Sequence, residues 1–195
     1  MKGKKNVFIL NGPILSGKDA IVDKIIQDGM IKASKGSFKT HLVKLVCTIY
    51  GVTKDWWDDN YTREGKEIPR PELNGLSMRQ AQIFVSETVI KPNLGRDYFG
   101  LMEGKRISDI DDNIILFSDG GFYEEVNALE PHFDVHVIRL HRHGYRYGSN
   151  DSRSYIKDDE VECPVIDYHN IYDLDAAVKD VSRIIEDFLK QKESQ

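Results

Sequence analysis

The stretch Gly12-Pro13-Ile14-Leu15-Ser16-Gly17-Lys18-Asp19 has the residue types and spacing of a loop that wraps phosphate, G-x-x-x-x-G-K. Glycines let the backbone turn and come close to an anion without Cβ clashes. Successive N–H groups and the positive end of a following helix then face the phosphates, and Lys18 reaches the outer ones. The chemistry this implies is binding of a nucleoside triphosphate. The last position, where a hydroxyl residue normally holds Mg²⁺, is Asp19. A carboxylate there can ligate the metal directly or through water, or it can simply be a favourable acid in the first turn of a helix. The sequence leaves both readings open.

Phosphoryl transfer asks a protein to hold the triphosphate, a metal and an acceptor in line, with cations around the moving group. Asp119, at the end of the apolar run Asn113–Asp119, is placed to organise Mg²⁺ or its waters; the alternative is a turn residue before Gly120-Gly121. Arg142, Arg146 and Arg153 lie in the polar stretch 141–159. They can close over a reaction and exclude water, or form an ordinary solvated loop. Arg142 is the strongest of them, because it follows a strand at the edge where open α/β sheets bind ligands. Lys44, Arg70, Arg79 and Arg96 fall between the second strand and the Asp119 strand, the place for an inserted module that binds an anionic acceptor. Arg79 projects from a helix start capped by Ser77, which adds free backbone N–H groups to its guanidinium; a plain surface arginine is the competing reading. Trp56, Trp57, Tyr61 and Phe84 can stack on a base but equally fill a core. The six histidines have no metal-ligand spacing.

These residues need elements to position them. Asn6–Leu10 is a strand-type run directly before the glycine loop, and Ala20–Ile26 reads as a helix directly after it. Phe38–Val43 alternates as a strand does, with a helix over Leu45–Tyr50 ending at Gly51. The span 54–74 reads as a loop with a short helix. A Ser77-capped helix runs from Met78 to Ile90 and stops at Pro92, and a further amphipathic piece covers Arg96 to Ile107. Asn113–Asp119 has the pattern of a buried parallel strand, Phe122–Leu129 of a helix, Asp134–Leu140 and Val161–Ile166 of strands, and Asp173–Lys190 of an amphipathic closing helix. The alternation predicts a three-layer α/β/α fold around a mainly parallel sheet.

A chain of 195 residues, 40% hydrophobic and 30% charged, is the size and composition of one soluble domain, 1–195. Its net charge of -5 argues against nucleic acid as a partner, so any basic cluster serves a small anion. Cys47 and Cys163 have neither metal spacing nor the density of a disulfide scaffold and read as reduced cytosolic thiols. The basic start Met1-Lys2-Gly3-Lys4-Lys5 precedes too short an apolar stretch for a signal peptide or membrane span. A cytoplasmic location without membrane association is expected.

The order Gly12-Pro13-x-x-Ser16-Gly17-Lys18-Asp19, Leu76-Ser77-Met78-Arg79-Gln80-Ala81, Gly95-Arg96-Asp97-Tyr98-Phe99, Ser118-Asp119-Gly120-Gly121-Phe122-x-x-Glu125 and Arg139-Leu140-x-Arg142, followed by Asp151-Ser152-Arg153-Ser154, resembles bacteriophage deoxynucleoside monophosphate kinases over nearly the whole chain. The resemblance implies a P-loop kinase core, an acceptor-binding insertion at about 44–107 and an arginine-bearing lid at about 141–160. It implies ATP and Mg²⁺ as cofactors, a dNMP as the small-molecule acceptor, a phage enzyme at work in a bacterial cytoplasm, and often a homodimer. In those terms Lys18, Arg142 and Arg153 are catalytic, and Gly12, Pro13, Ser16, Gly17, Lys18 and Asp19 bind the nucleotide. Lys44, Arg70, Arg79, Arg96 and Asp119 bind the acceptor, and Asp19 and Asp119 hold the metal. The chain departs from the family at Ser152-Arg153-Ser154, where such kinases often carry His with Ser and Glu. Two other readings stay open: a kinase for another small metabolite, and a nucleotide-binding regulator without turnover.

Overall fold

Apolar runs flanked by turn residues build the centre of the molecule. In a computed structural model describing residues 4–149, 151, 153–171 and 173–193, Asn6–Asn11 forms β1 and Ile114–Gly120 forms β3. Each is buried along nearly its whole length. Continuous burial needs cover on both faces, which parallel strands obtain from their crossover helices. The other strands are β2 (Ser34–Gly36), β4 (Asp134–Arg142) and β5 (Val165–Asn170). All five pair in parallel in the order β2-β3-β1-β4-β5. The chain steps out from β1 to β2, returns to β3, and crosses β1 to reach β4. That reversal puts the end of β1 at a topological switch point, where such sheets bind ligands.

Alternation along the strands divides the core in two. Phe8, Leu10, Leu116, Ile138 and Leu140 face α1 (Lys18–Gln27) and α8 (Leu174–Glu193). Val7, Ile9, Ile115, Phe117 and Val137 face the opposite layer, with Ile107 and Val126. That layer contains α2 (Lys39–Tyr50), α6 (Tyr98–Ser108) and α7 (Tyr123–Asn127). A third cluster lies within the helices themselves: Leu42, Val46, Trp57, Leu73, Met78, Ala81, Val85 and Phe99. It joins α2 and α6 to α3 (Lys54–Asn60), α4 (Met78–Ile83) and α5 (Lys91–Leu94), two short 3₁₀ turns, and a π-helical turn at Phe84–Ile90.

Three expectations need correction. Phe38–Val43 is not a strand: residues from Lys39 onward begin α2. Phe38, Leu42 and Val46 are buried at a spacing of four, with Cys47 beside Val46, and a six-residue window cannot separate that spacing from alternation. The second strand is instead the short Ser34–Gly36, which has no apolar pattern to announce it. It exists through its ladder with Ile115–Phe117, and Gly36 leaves room for the Phe117 ring. Pro92 does not stop the helix either. The ladder widens first, with Lys91 N–H bonded to Ser86 O, so the proline arrives in the opening turn of α5, where a missing N–H is tolerated. The Asn93 side chain donates to Val89 O at 2.6 Å. Finally, the last strand starts at Val165 rather than Val161, directly after Pro164, whose carbonyl accepts from Val137 N–H. Among the described residues, no helix is long and apolar enough to cross a membrane.

Candidate functional site

The glycine loop occupies the C-terminal edge of the sheet, between β1 and α1. Gly17 is the N-cap of α1 with φ 104°, a left-handed conformation that favours glycine. No side chain makes a capping hydrogen bond at the start of α1, so its first N–H groups have no side-chain partner there. A Cβ on Gly17 would lie 2.9 Å from Nδ2 of Asn170, the residue that ends β5 and donates to Ser16 O at 2.9 Å. Gly12 is equally confined, 2.8 Å from Leu140 O by the same measure. The loop is therefore gripped between the ends of β4 and β5.

Lys18 is buried inside this turn. Its ammonium donates to Gly12 O at 2.6 Å, Pro13 O at 2.7 Å and Ser16 Oγ at 3.3 Å. Burial pushes its pKa down to about 8; the Asp19 carboxylate opposes this, while the charges of Arg153 and Lys39 add to it. Arg142 holds the loop from outside, donating to Leu15 O at 2.7 Å with its guanidinium 4.8 Å from the centre of the Tyr145 ring.

The two candidate metal acids stand on opposite sides of the end of β3. Ser118 and Asp119 are neighbours on a strand and point to opposite faces. Ser118 Oγ donates to Asp19 Oδ1 at 2.7 Å on the α1 side. Asp119 Oδ2, on the α2 side, accepts from Ser37 Oγ at 2.6 Å and Lys39 N–H at 3.2 Å. Its Oδ1 is buried without a hydrogen bond. Close by, Glu125 is 5% exposed, and its carboxyl is driven far above the usual carboxylate range by burial and then by Asp119, against the pull of Lys91.

The stretch after β4 lies against the ends of β1, β3 and β4. Arg153 makes a bidentate pair with Asp151, Nε to Oδ1 at 2.8 Å and Nη2 to Oδ2 at 2.7 Å. Burial works to raise the Asp151 carboxyl, yet the bonds and charge of Arg153 hold it below the ordinary range. Arg146 lies in the same stretch, and Ser152 falls outside the described residues.

The acceptor candidates separate. Arg79, in the first turn of α4, pairs loosely with Glu67 at 3.5 Å. Its charge is felt by Asp151 and by Lys66, whose own pKa is lowered by burial first and Arg79 second. Lys39 and Asp19 also act on Lys66. Arg79, Lys66, Lys39, Lys18 and Arg153 thus share one field. Arg70 turns back into the helical module, its guanidinium against Gly65 and its Nε buried without a hydrogen bond. Lys44 is exposed on α2, where its charge acts on His41. Arg96, 65% exposed, pairs with Glu124 of α7. Trp57 and Phe99 are core, and Trp57 stacks on Tyr61, whose hydroxyl donates to Gln82 Oε1 at 3.0 Å.

Sequence reasoning passed over Asn11, Ser37, Lys39, Lys66, Ser118 and Asp151. Asn11 alone carried a signal, a polar residue closing a wholly apolar strand. Ser118 and Asp151 stand in the quoted motifs without a role of their own; Ser118 gains one through Asp19, 99 residues away, and Asp151 through its pair with Arg153. A separate open hollow at the other end of the sheet is rimmed by Lys4, Glu130, Glu160 and Glu162 and presents mostly carboxylates, so it suits no anion.

No protein-family model matches the sequence, and no curated protein matches it. Among solved structures, one described as a "putative kinase" from Chloroflexus aurantiacus j-10-fl shares 12% identity with a TM-score of 0.42, over 96% of this chain and 99% of that one.

Proposed function

We propose that the chain is a P-loop kinase that transfers the γ-phosphoryl group of ATP to a deoxynucleoside monophosphate, with Mg²⁺, giving dNDP and ADP. The observation that carries this reading is Lys18: a buried ammonium whose hydrogen bonds go to two carbonyls and a hydroxyl of its own loop, with no carboxylate among them. A buried cation left without a bonded anion is costly unless a ligand completes it. The free N–H groups at the start of α1 favour a phosphate as that ligand.

The residues present also fit Mg²⁺. Among the described residues no group of three or more acidic, His or Cys side chains can hold a metal alone. A Mg²⁺ that arrives on a triphosphate needs only one or two carboxylates and keeps its waters. Asp19, with the Ser118 hydroxyl beside it, would hold it, and the ion would neutralise charge on the phosphate oxygens. Lys18 and Arg153 then bind and orient the donor phosphates. Arg79, with Lys66 and Lys39, binds the acceptor's phosphate, and Asp119 fixes the start of α2 that presents Lys39.

An ADP-release assay with ATP, Mg²⁺ and each common dNMP tests the proposal. ADP formation above the ATP-only control is expected with at least one acceptor. None with any dNMP overturns it; tight ATP binding without transfer to any acceptor then favours a regulator, and transfer to a different metabolite favours another kinase class.

A further inference from the structure

Asn11 sits at the end of β1, immediately before the glycine loop, and is fully buried. Its amide NH2 shares its two hydrogens among Gly120 O at 3.2 Å, Tyr147 Oη at 3.1 Å and Ser154 O at 3.1 Å, and its Oδ1 accepts from Ile156 N–H at 3.0 Å. One side chain therefore ties the end of β3 and two places in the stretch after β4 to the base of the loop. Further bonds secure the same segment. Arg139 donates to Ile156 O at 3.2 Å, the Tyr155 hydroxyl donates to Leu140 O at 2.9 Å, and Ile156 is sunk in the core beneath the sheet. Arg153 precedes this anchored run directly. Its aliphatic stem lies on Gly121, where a Cβ would come within 2.7 Å of Arg153 Cδ.

We propose that Asn11 is a positioning residue: it locks residues 153–156 against the end of β1 and so fixes Arg153 beside the phosphate loop, making this stretch a static wall rather than a closing lid. A buried amide engaged at both ends leaves its partners unsatisfied when removed, so the anchor is expensive to break. The alternative, that Asn11 only stabilises the fold, predicts no effect that runs through Arg153.

The turnover part of the test rests on the kinase reading, while the binding part does not. Tripolyphosphate is titrated calorimetrically into the wild-type protein, Asn11→Ala, Arg153→Ala and the double variant. Asn11→Ala is expected to weaken binding about tenfold in the wild-type background and less than about twofold once Arg153 is gone, the non-additivity of residues acting as one unit. Should Asn11→Ala not fold, Asn11→Ser carries the same cycle. Faster amide exchange at Ile156 should accompany the loss, and where ADP release is measurable, KM for ATP should rise in step with the weakened binding in Asn11→Ala but not in Asn11→Ala added to Arg153→Ala. Equal losses in both backgrounds, or none in either, overturn the proposal. Absence of transferase activity in the wild-type protein defeats the kinase reading and leaves the binding cycle to decide on Asn11.

Discussion

At the scale of single residues, Lys18 is a buried ammonium whose hydrogen bonds go to two carbonyls and a hydroxyl rather than to a carboxylate. Its pKa of about 8 lies below that of a free lysine because burial disfavours the ammonium. A phosphate placed against Nζ restores the charged form. Between about pH 8 and the ordinary lysine range, the free protein is partly deprotonated and the complex protonated, so ligand binding must take up a proton. Calorimetry of ATP binding at pH 8.5 in buffers of different ionisation enthalpy should show that uptake, and Lys18→Ala should abolish it. Uptake unchanged in the variant would assign the proton to another group. Turnover of Lys18→Ala should fall on the order of a hundredfold, the usual loss when a contact that strengthens in the transition state is removed. Lys18 was legible in sequence because its partners lie within six residues of it. Ser118 was not, since its partner Asp19 is 99 residues away and only the pairing of β3 beside β1 brings them together.

Secondary-structure elements set where the cations can go. The Ser77 cap was readable from its neighbours, and the structure completes it as a full capping box: Ser77 Oγ accepts from Gln80 N–H at 3.2 Å, and Gln80 Oε1 accepts from Ser77 N–H at 2.9 Å. Arg79 owes its place to that first turn. Ser77→Ala should cost about 1 kcal/mol in urea unfolding and, by loosening the turn, raise KM for the acceptor while leaving ATP affinity near wild type. Arg79→Ala should raise acceptor KM further without the stability loss. A loss of ATP affinity alone in either variant would put Arg79 in the wrong subsite. Elements defined by backbone geometry rather than apolar spacing escaped the sequence. β2 is three residues of ladder, and the π turn ahead of Pro92 reroutes hydrogen bonds in a way that no residue pattern announces. By contrast β1, β3, β4 and α8 carry long, unambiguous periodicity and were legible to within a few residues.

In the molecule as a whole, the glycine loop belongs to the sheet and its two cores, whereas Arg79 and Lys66 belong to a helical module with a core of its own. Two helices connect them. α2 has Phe38 at its N-cap in the sheet-side core and Leu42 and Val46 in the module's, and α6 places Ile107 in the former and Phe99 in the latter. A cluster this small is marginal by itself, because a short segment buries too little of its surface to offset chain entropy. It should therefore open at a lower free energy than the sheet, as locally cooperative units do. Leu73, fully buried at the centre of the module, provides the test. Leu73→Ala should cost about 2–5 kcal/mol through lost burial and the cavity left behind. In native-state hydrogen exchange, that loss should appear as weakened protection of amides in α2, α3 and α4, while β1 and β3 keep theirs. Arg79 and Lys66 would then be carried on a unit that can shift relative to Lys18, the motion needed for an acceptor to enter before the charges gather around it. Parallel loss of protection in β1 and β3 would instead mean that module and sheet unfold as one body, and that the approach of the acceptor cations to the loop is fixed in advance.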